Sequence, residues 1–438
     1  MNKVEAFDQI TLGLIGFGTI GTGVIKLLNK TNDQMKYLGI NLRVKTIADL
    51  DIVTLRDCDV SHISLTQDVD DILEDPEIQI IIELIGGIEP AKSFIVKAIK
   101  NGKHVVTANK ALISKAAEEI FSLALSENIE VGFEASVGGG IPIIRAIREG
   151  LIANQVHSIY AIINGTSNYI LTCMHEQKKN FKDALCAAQL LGYAEADPAY
   201  DVSGIDSAHK LSILSSLAFG MRIGLDKISI EGIENITLFD LTFAAQLGYK
   251  IKLLAIAKQI NGQLEVRVEP TMINLESMLA KVDGVYNAIY LLGDAGPTLY
   301  YGQGAGQIPT ASAVLSDVVD IAQVIKQGNL TKSQPKLYPG IHFQKLKMKN
   351  MADIISSYYL RFTASDKPGV LSSISGILAK YNISISSVIQ KGREEEKAVP
   401  IVMMTYGVRE SDLNSALKEI DILPIVMDKT LSIRVENI

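Results

Sequence analysis

The chain has 438 residues, of which 47% are hydrophobic and 21% are charged. A length beyond that of one ordinary core, with this composition, predicts two or three folded domains and no long disordered tail. The formal net charge of −7 is spread without a basic block, which argues against nucleic acid or a membrane as a partner and leaves small molecules.

Cysteine usage and the first residues indicate the compartment. The three cysteines, Cys58, Cys173 and Cys186, have no CxxC spacing, which argues against a disulfide framework and against a zinc site. The opening MNKVEAFDQ lacks an apolar signal segment, and the apolar runs are interrupted well before the roughly 18 residues of a membrane span. We therefore expect a cytoplasmic protein that does not cross a membrane.

Residues 10–134 alternate short apolar runs with helical patterns. The runs predicted as strands are ITLGLI, LRVKTIA, IQIIIEL, KHVVTA and IEVGF, and residues 111–127 are predicted as a helix. Continuous apolar strands separated by helices are typical of a parallel sheet that is covered on both faces. Residues 1–135 are therefore predicted to form a doubly wound, Rossmann-type α/β domain that binds a dinucleotide.

A glycine-rich loop follows the first predicted strand, in GLIGFGTIGTG. Its glycines have the GxGxxG spacing and open a helix, so they allow a tight turn while the helix N-terminus attracts a pyrophosphate. Asp49, after the second strand, is the candidate for binding the ribose hydroxyls. The sequence predicts that NAD or NADP binds to a loop formed by Gly16, Phe17, Gly18, Thr19, Ile20 and Gly21.

Two further segments follow predicted strands of this domain. Lys110, in TANKALIS, follows a strand whose carboxyl end should border the ligand crevice, so it is placed to meet cofactor or substrate. A solvated lysine that starts a helix is the alternative. Glu134 precedes three glycines in FEASVGGGIPII, a turn that exposes both carbonyl and amide groups. Such a turn could bind a cation together with Glu134, bind an anion at the following helix, or bind nothing.

Residues 136–300 mix helices and strands and are predicted to form an α+β substrate and dimerisation domain. In GIDSAHKLSILSSLAFG, Asp206 and Lys210 lie one helical turn apart on the face that is expected to be buried. The apolar residues of that face are Ile213, Leu214 and Leu217, and those expected on other faces are Ser212, Ser215 and Ser216.

A charged pair on a buried helical face has two interpretations. A lysine in apolar surroundings has a lowered pKa and can exchange a proton near neutrality, with Asp206 orienting it. A structural ion pair at the helix head is the alternative. Glu195, Asp197 and Asp201, just upstream, offer acceptors for a substrate ammonium. His209 points about 100° away from Lys210 and is interpreted as structural.

The C-terminal third of the chain contains three segments with different sequence patterns. Residues 301–328 contain a glycine turn and an amphipathic helix, which is predicted to return to the nucleotide domain. Residues 329–352 hold two prolines and several lysines and are predicted to be a linker. Residues 353–438 alternate in the order βαββαβ, a ferredoxin-like layout, with turns at DKPG and KGREEEKA.

Taken together, six segments resemble the homoserine dehydrogenase family, and the match covers roughly the first 325 residues in family order. They are GFGTIG, TANKALIS, FEASVGGGIPII, INGTSNYIL, LGYAEADPAYDVSGIDSAHKL and YGQGAGQIPTASAVLSD. The final unit resembles an ACT domain through DKPGVLSSISGILAKYNISISSV. No segment resembling an aspartokinase precedes the dehydrogenase, so the chain looks like the monofunctional form. The resemblance implies reversible, NAD(P)-linked reduction of L-aspartate 4-semialdehyde to L-homoserine, on the route to threonine and methionine.

The resemblance also implies roles for individual residues. Lys210 matches the catalytic lysine and Asp206 its partner, while Lys110 matches a lysine that contacts both cofactor and substrate. Residues assigned to substrate binding are Glu195, Asp201 and Thr166. Residues added to the cofactor pocket are Gly192 and Gly304. The ligands implied for a monovalent cation, such as sodium, are Glu134, Val137, Gly139 and Ile141.

One departure concerns the cofactor. Many members carry arginine before the aspartate that follows the second strand, as an aid to binding a 2′-phosphate, but here Ala48 precedes Asp49. This favours NAD or dual use. In the expected mechanism Lys210 supplies a proton to the aldehyde oxygen within an interdomain cleft, and Lys110 is the alternative donor.

The ACT-like unit predicts feedback. Gly369, after Pro368, opens a helix beside a strand edge, where backbone amides can receive an amino-acid carboxylate, and Asp366 and Val370 complete the predicted effector site. The family suggests threonine as the effector, and we expect a homo-oligomer, either a dimer or a tetramer. Removing the residues beyond about 350 is expected to leave catalysis intact and to abolish threonine sensitivity. An ACT unit kept only for assembly is the alternative.

Two rival functions remain. One is a related dehydrogenase of another amino-acid semialdehyde, and the other is a catalytically inactive regulator that senses the cofactor. The presence of Lys110, Asp206 and Lys210 together argues against the inactive regulator.

Overall fold

The structure, a computed structural model, describes residues 9–37, 39–327, 346–390 and 398–438. The chain divides into two compact units, each built from segments that are distant in sequence. The first unit contains the described residues of Met1–His157, His209–Asp226 and Asn287–Lys345. The second unit contains those of Ser158–Ala208, Lys227–Tyr286 and Leu346–Ile438.

A six-stranded parallel sheet forms the centre of the first unit, with the strand order β3-β2-β1-β4-β5-β6. Its strands are β1 (Gln9–Ile15), β2 (Asn41–Ala48), β3 (Ser64–Thr66), β4 (Ile80–Glu83), β5 (His104–Thr107) and β6 (Val131–Gly132). This is the order of doubly wound dinucleotide-binding folds, so the predicted class is confirmed. The sequence did not predict β3, because its three residues SLT carry no apolar run and lie at the sheet edge.

Helices alternate with these strands. They are α1 (Thr19–Tyr37), α2 (Asp70–Leu73), α3 (Ala91–Lys100) and α4 (Lys110–Ser126). Strands β4 and β5 are buried along their whole length, which explains why they read as continuous apolar runs rather than alternating ones. Helix α4 begins where Asn109 accepts a hydrogen bond from the amide of Leu112, a typical N-cap.

After the sheet, the chain continues through short helical turns into a strand and four helices. The elements are a 3-10 turn (Glu134–Ser136), α5 (Ile143–Arg145), a π-helical turn (Ala146–Gly150), β7 (Val156–Ile162), α6 (Gly165–Gln177), α7 (Phe181–Leu190), α8 (Ala199–Val202) and α9 (Ile205–Phe219).

Helix α9 is buried on nearly every side. Asp206 and Lys210 are buried as expected, at 2% and 8% exposure. The expectation of a more exposed serine face is wrong, because Ser212 and Ser216 are each 1% exposed. Their hydroxyls are satisfied by the backbone, since Ser212 donates to the carbonyl of Ile223 at 2.5 Å and Ser216 donates to that of Ser212 at 2.7 Å. Local bonds of this kind allow serine to be buried at low cost.

The next segment adds strands and one long helix. Its elements are β8 (Ser229–Ile230), α10 (Leu238–Gln246), β9 (Tyr249–Ile260), β10 (Gln263–Asn274), β11 (Tyr286–Gly293), β12 (Gly296–Gln303) and α11 (Gln307–Lys326). Helix α10 begins with a capping box, in which Thr237 and Asp240 each bond to the other's backbone amide.

Helix α11 packs against α1 within the first unit. The side chain of Gln307 donates to the carbonyl of Thr19 at 3.0 Å, and Lys326 donates to that of Gly39 at 2.7 Å, so both ends of α11 are fixed. By length and composition α11 could cross a membrane. Here, however, Val314, Val318 and other side chains of α11 belong to the same core as those of β1 and β2.

The predicted linker is only partly described. Residues 329–345 of it, and most of the predicted KGREEEKA turn, lie outside the described residues. The end of the predicted linker is not loose chain, because Lys347–Met348 forms strand β13, which pairs with β10 in parallel. A 3-10 turn at Met351–Asp353 follows.

The C-terminal unit has the predicted βαββαβ order. Its elements are β14 (Ile355–Ser365), α12 (Val370–Lys380), β15 (Ile385–Gln390), β16 (Ala398–Thr405), the short β17 (Val408–Arg409), α13 (Glu410–Asp421) and β18 (Val426–Glu436). Leu360, Phe362, Ile374, Leu378 and Ile420 form the centre of its core, between the two helices and the sheet.

The sheet of the second unit joins its catalytic and C-terminal parts. The strands are adjacent in the order β7-β9-β10-β18-β14-β16-β15. Strands β9 and β10 pair in antiparallel fashion along their full length, from Tyr249–Asn274 to Ile260–Gln263. On its other edge, β10 pairs in parallel with three short stretches in turn: β13, β8 and the end of β18.

Candidate active site

A cavity of about 670 Å³ opens at the carboxyl ends of the strands in the first unit. Its walls combine the glycine loop, the end of β2 and the residues after β4. The lining residues are Ile15, Gly16, Gly18, Ala48, Asp49, Leu50, Gln67, Asp68, Val69, Asp70, Leu84, Ile85, Gly86, Pro90 and Phe94. This described lining includes three carboxylates and neither a lysine nor an arginine.

The glycine loop has the shape that its spacing predicts. Gly16 has a φ of +100°, and a Cβ there would lie 2.8 Å from the carbonyl carbon of Leu84. A Cβ on Gly21 would lie 2.3 Å from the carbonyl oxygen of Gly16. A Cβ on Gly18 would have no neighbour within 4 Å. Gly16 and Gly21 therefore permit the turn, and Gly18 leaves the cavity edge open.

Asp49 holds the glycine loop as well as lining the cavity. One carboxylate oxygen accepts from the amide of Phe17 at 2.5 Å, and the other accepts from that of Asp51 at 2.8 Å. The Phe17 amide, predicted as part of the cofactor loop, is thus already bonded within the protein. The Phe17 side chain is buried beneath the guanidinium of Arg56, whereas Thr19 is exposed and Ile20 is partly buried.

The sequence analysis missed a buried carboxylate beside this cavity. Glu83 ends β4, is fully buried and accepts from the Thr107 hydroxyl at 2.6 Å. Its second oxygen accepts from the amides of Ile85 and Gly86, at 2.9 and 3.2 Å. The interruption of the run IQIIIEL by glutamate was the available signal, because an unpaired carboxylate is not stable in a buried strand.

Lys110 is the first residue of α4 and is partly buried. Its position is fixed by Asn109, whose side-chain amide donates to the carbonyl of Gly87 at 2.6 Å while its oxygen caps α4. The loop after β4 and the start of α4 are therefore held together at the carboxyl edge of the sheet.

The turn after β6 is held by Glu134. Its carboxylate oxygens accept from the amides of Ile144 and Arg145, at 2.9 and 2.8 Å, at the start of α5. The amide of Glu134 donates to the carboxylate of Asp317 at 2.8 Å. Each oxygen of the Glu134 carboxylate therefore accepts one hydrogen bond from the backbone at the start of α5.

Burial perturbs both carboxylates at this turn. Desolvation raises the pKa of Glu134, against the lowering effect of its bonds to the backbone. Desolvation raises the pKa of Asp317 to about 7, and the neighbouring Glu134 adds to that rise. Asp317 is therefore partly protonated near neutrality.

Gly139 and Gly304, two predicted site residues of the first unit, lie next to each other. Gly139 has a φ of +54°, and a Cβ there would lie 2.6 Å from the carbonyl oxygen of Gly304. A Cβ on Gly304 would lie 1.8 Å from the side-chain nitrogen of Asn287. The amide of Gly140 also donates to the carbonyl of Gln303 at 3.1 Å. The predicted cation turn and the predicted cofactor glycine are thus neighbours. Val137 and Ile141, also predicted cation ligands, are buried beside them.

In the second unit, Asn164 connects two predicted carboxylates. Its side-chain nitrogen donates to Asp201 at 2.7 Å and to Asp206 at 2.9 Å. Its oxygen accepts from the amide of Ser167, which caps α6. Asn164 was not predicted as a site residue, although it is the second residue of the segment INGTSNYIL. One amide therefore sets the positions of two acids and of the helix that carries Thr166.

The remaining predicted substrate residues lie near the end of α7. The hydroxyl of Thr166 donates to the carbonyl of Tyr193 at 2.7 Å. Gly192 and Glu195 are exposed in the loop that follows α7, and the side chain of Gln189 donates to the carbonyl of Glu195 at 3.1 Å. Gly192 belongs to the second unit and is not among the lining residues of the cavity in the first unit.

Tyr200 was not predicted as a site residue. Burial, together with the carboxylates of Asp206 and Asp201, raises the pKa of its phenol to about 12. The Tyr200 ring therefore lies in the field of the two acids that Asn164 connects, and its hydroxyl stays protonated at physiological pH. Its position directly before Asp201, in AYD, carried no pattern that marks a site.

Lys210 follows Asp206 by one turn of α9, so the helix itself fixes their spacing. The neighbouring His209 is 5% exposed, and its Nδ1 shares a hydrogen bond with the hydroxyl of Ser114 on α4. This contact supports the structural interpretation of His209.

The predicted effector residues lie at the start of α12. Gly369 is the N-cap, exposed, with a φ of +90°. Among the described residues, one buried oxygen of Asp366 has no hydrogen-bond partner. Val370 is 5% exposed and its side chain belongs to the core, so only its backbone could face an effector.

Comparison with known proteins identifies the family. The model of the family described as homoserine dehydrogenase matches residues 142–319, that of the homoserine dehydrogenase NAD binding domain matches 16–134, and that of the ACT domain matches 358–424. Homoserine dehydrogenases of Neisseria gonorrhoeae and Pseudomonas aeruginosa are 41% and 42% identical, each over 98% of this chain and 99% of the relative.

Solved structures agree. The crystal structure of a homoserine dehydrogenase from Thiobacillus denitrificans is 42% identical, covers 98% of each chain and superposes with a TM-score of 0.92. That of S. aureus homoserine dehydrogenase is 33% identical over 98% of this chain and 99% of that one, with a TM-score of 0.78. This chain therefore belongs to the homoserine dehydrogenase family, as an NAD(P)-dependent oxidoreductase that carries a C-terminal ACT domain.

Proposed function

We propose that the chain catalyses the reversible reduction of L-aspartate 4-semialdehyde to L-homoserine in the cytoplasm, on the route to threonine and methionine. The observation that carries the proposal is the cluster of Asp201 and Asp206 around the amide of Asn164, one helical turn before Lys210. Two acids suit the ammonium of an amino-acid aldehyde, and a lysine suits proton transfer to its oxygen. The family membership supports the same reaction.

The residues of the chain have distinct roles in this proposal. Glu195 and Asp201 bind the substrate ammonium, and Thr166 lies beside the bound substrate. Asp206 orients the Lys210 ammonium, which donates a proton to the aldehyde oxygen during reduction and takes it back in the reverse direction. Lys110 is the alternative donor. When bound, NAD(P)H supplies the hydride that reduces the aldehyde carbon to the alcohol.

The cavity of the first unit fits a dinucleotide. Gly16 and Gly21 lie where a Cβ would collide with backbone, and Gly18 faces open space, so the loop can approach a pyrophosphate closely. Gly304 and Gly192 are assigned to the same cofactor in the complete site. In this assignment residues 1–135 and 301–328 serve the cofactor, residues 136–300 the substrate, and residues 353–438 regulation.

We further propose that NAD is preferred over NADP. Asp49, Asp68 and Asp70 line the cavity, and their charges would repel a 2′-phosphate. The Arg56 guanidinium is not among the lining residues and is already bonded to the carbonyls of Phe17 and Thr54. Ala48, where many members carry arginine, adds no compensating charge.

A monovalent cation such as sodium is proposed for the turn after β6. Its ligands would be Glu134 and the backbone carbonyl oxygens of Val137, Gly139 and Ile141, an all-oxygen set that suits a hard cation. The positive φ angles of Gly138 and Gly139 support it, because they turn successive carbonyls within a short loop. Replacing sodium by choline at constant ionic strength should lower the melting temperature if the cation binds there.

Threonine is proposed as the inhibitor that binds the ACT domain. Its ammonium would meet the partnerless oxygen of Asp366, and its carboxylate the amides at the start of α12. The full protein is proposed to be a homodimer or homotetramer. Analytical ultracentrifugation with and without threonine would test both statements.

The reaction itself is tested by the absorbance of the reduced nicotinamide. The purified protein should oxidise NADH in the presence of aspartate semialdehyde, with a kcat/KM at least tenfold higher than with NADPH. A panel of other semialdehydes, at matched concentrations, should give lower values. No turnover with aspartate semialdehyde and either cofactor would reject the proposal.

A further inference from the structure

A buried cluster of charges lies where the C-terminal unit joins strand β10. Along β10, Glu265, Arg267 and Glu269 alternate and so point to one face, and Arg267 is fully buried. Arg267 donates to Glu265 at 2.8 Å and also bonds to Glu269 and Glu436. Glu436 is on β18, so the C-terminal unit supplies part of the charge that balances Arg267.

Arg434 of β18 also connects the C-terminal unit to β10. It bonds to Glu269 of β10 and to Glu410 of α13, and its Nε donates to the Tyr358 hydroxyl at 3.0 Å. The Tyr358 hydroxyl donates in turn to Glu410 at 3.0 Å. Buried ions of this kind are stable only with all partners present, so the strand, β18 and α13 must keep one relative position.

Strand β10 transmits this constraint to residues 199–206, the segment that carries Asp201 and Asp206 and is called the substrate loop below. Next to the cluster, Val268 accepts a hydrogen bond from the amide of Glu231 at 2.8 Å. Two residues on, the amide of Ile233 donates to the carbonyl of Val202 at 2.9 Å. Gly232 is so close that a Cβ on it would lie 2.4 Å from the same carbonyl. The segment 231–233 is therefore wedged between β10 and α8.

Helix α8 and the start of α9 carry the two acids. Asp201 directly precedes Val202, and Asp206 follows four residues later at the head of α9. Both acids accept from the same Asn164 amide, within 2.9 Å, so a displacement of Val202 would change a geometry that a single side chain must satisfy twice.

We propose that Arg434 is a positioning residue for the substrate site: with Arg267 it fixes β10, and through the segment 231–233 it sets the positions of Asp201 and Asp206. The C-terminal unit thereby reaches the substrate loop along one side of a single strand, without touching the substrate. The inference rests on the proposed function only for its kinetic effect. Its structural effect can be measured without turnover.

The test compares Arg434→Met with Arg361→Met in the full-length protein. Arg361 is a matched control because it also lies on a strand of the C-terminal unit and pairs with a buried acid at 2.7 Å, but that acid is Asp240 of α10 and not an acid of β10. Hydrogen-exchange mass spectrometry should show at least tenfold faster exchange at residues 199–206 and 229–233 in Arg434→Met. Arg361→Met should leave both segments within twofold of the wild type.

Kinetics give the second readout. Arg434→Met should raise the KM for aspartate semialdehyde or lower kcat by about tenfold, with the KM for the nucleotide unchanged. Tyr358→Phe, which removes one bond to Arg434 and is gentler to the fold, should change the same parameters in the same direction by about threefold. Arg434→Lys should restore part of the effect.

The experiments distinguish failure of this inference from failure of the proposed function. Unchanged exchange at residues 199–206 in folded Arg434→Met, or an equal change in Arg361→Met, would overturn the inference. If Arg434→Met does not fold, the exchange pattern of Tyr358→Phe decides in the same way. A wild-type protein without turnover would instead reject the proposed function and leave the exchange comparison valid.

Discussion

At the residue scale, the side-chain amide of Asn164 holds Asp201 and Asp206 close together. Two carboxylates that lie close together repel each other, and in general this repulsion favours protonation of one of them. The shared amide supplies each of them with a hydrogen bond and at the same time caps α6. The amide therefore fixes the positions of both carboxylates, which suits them to bind a cationic substrate group.

Asn164→Asp should separate these roles. The new carboxylate still caps α6, but it removes both donated bonds and adds a third negative charge. We expect kcat/KM to fall at least tenfold and the free energy of unfolding to fall by about 2–3 kcal/mol, the cost of two lost bonds to charged groups. Steady-state kinetics and urea unfolding measure the two effects.

Asn180→Asp is the matched control for that variant. Asn180 caps α7 in the same way and is at the surface. It should leave kcat/KM within twofold of the wild type. Equal effects in the two variants would show that the cap, and not the bridge between acids, matters.

Lys210→Ala tests the proton donor. The variant should retain nucleotide affinity, because the glycine loop and Asp49 are unchanged, and lose kcat by about 10²–10⁴-fold, the usual contribution of general acid–base catalysis. Fluorescence titration with NADH and stopped-flow absorbance measure the two quantities. Near-normal turnover would exclude Lys210 as the donor and shift the assignment to Lys110.

Asp317 makes stability depend on pH. The folded protein holds its proton up to about pH 7, whereas an unfolded aspartic acid releases it near the ordinary value of 3.8. The folded state therefore binds more protons in this window, and stability falls as the pH rises through it. The raised pKa of Glu134 acts in the same direction.

Asp317→Asn should flatten that dependence. The amide oxygen can still accept from the backbone of Glu134, so the variant should lose much less stability than the wild type between about pH 4 and 7, a difference on the order of a few kcal/mol. Urea unfolding at several pH values measures it. Asp320→Asn, which alters the neighbouring partner of Arg145, should keep the wild-type slope; the same flattening there would point away from Asp317.

At the scale of elements, the glycine turn after β6 is a tightly constrained connection. Gly139→Ala would place a methyl group 2.6 Å from the Gly304 carbonyl at a φ of +54°. We expect a loss of about 1–3 kcal/mol in the free energy of unfolding, because both the collision and the left-handed backbone oppose it. Gly150→Ala, where a Cβ meets nothing within 4 Å, should change stability by less than about 0.5 kcal/mol.

Elements with long, regular patterns were predictable, and short or shared ones were not. The five predicted strands of the nucleotide domain and the βαββαβ unit follow from apolar runs and turn residues that act locally. Strand β3 and strand β13 have two or three residues each and exist only because longer strands offer a free edge. The burial of Ser212 and Ser216 in α9 was missed because helical periodicity registers only polarity, and not the backbone carbonyls of Ile223 and Ser212 that accept from their hydroxyls.

The candidate site was predictable to a similar extent. Asp206, Lys210 and the glycine loop carry spacing that points to chemistry, and the sequence named them. Asn164 and Asp317 carry none, since each acts through a partner tens of residues away or more. Glu83 carries only the interruption of an apolar run, which does not identify its partner Thr107. The two amides that donate to the Glu134 carboxylate, from Ile144 and Arg145, were not predicted either, because they lie about ten residues further along the chain.

On the scale of the whole molecule, the strands of the C-terminal unit continue the sheet that contains β7, β9 and β10. The expectation that residues beyond about 350 can be removed without loss of catalysis is therefore unsupported. Truncation would take away β18, Arg434 and Glu436, and would leave Arg267 buried without part of its counter-charge. Regulation is better tested by point substitutions than by deletion.

Asp366→Asn is such a substitution. It should abolish inhibition by millimolar threonine and leave the uninhibited rate within twofold, because Asp366 lies at the start of α12 and not in the substrate loop. Inhibition curves measured with NADH and aspartate semialdehyde check this. Asp428→Asn, an exposed acid of the same unit, should keep the wild-type curve; a wild-type enzyme that ignores threonine would remove threonine as the effector.

Helix α11 gives the protein a particular order of assembly during synthesis. The core of the cofactor-binding unit includes Val314 and Val318 together with side chains of β1 and β2, which are about 300 residues earlier. A growing polypeptide on the ribosome cannot close that core until α11 has emerged. An apolar face of the N-terminal sheet therefore stays uncovered until nearly three quarters of the chain has been translated, and a chaperone would be most useful during this interval.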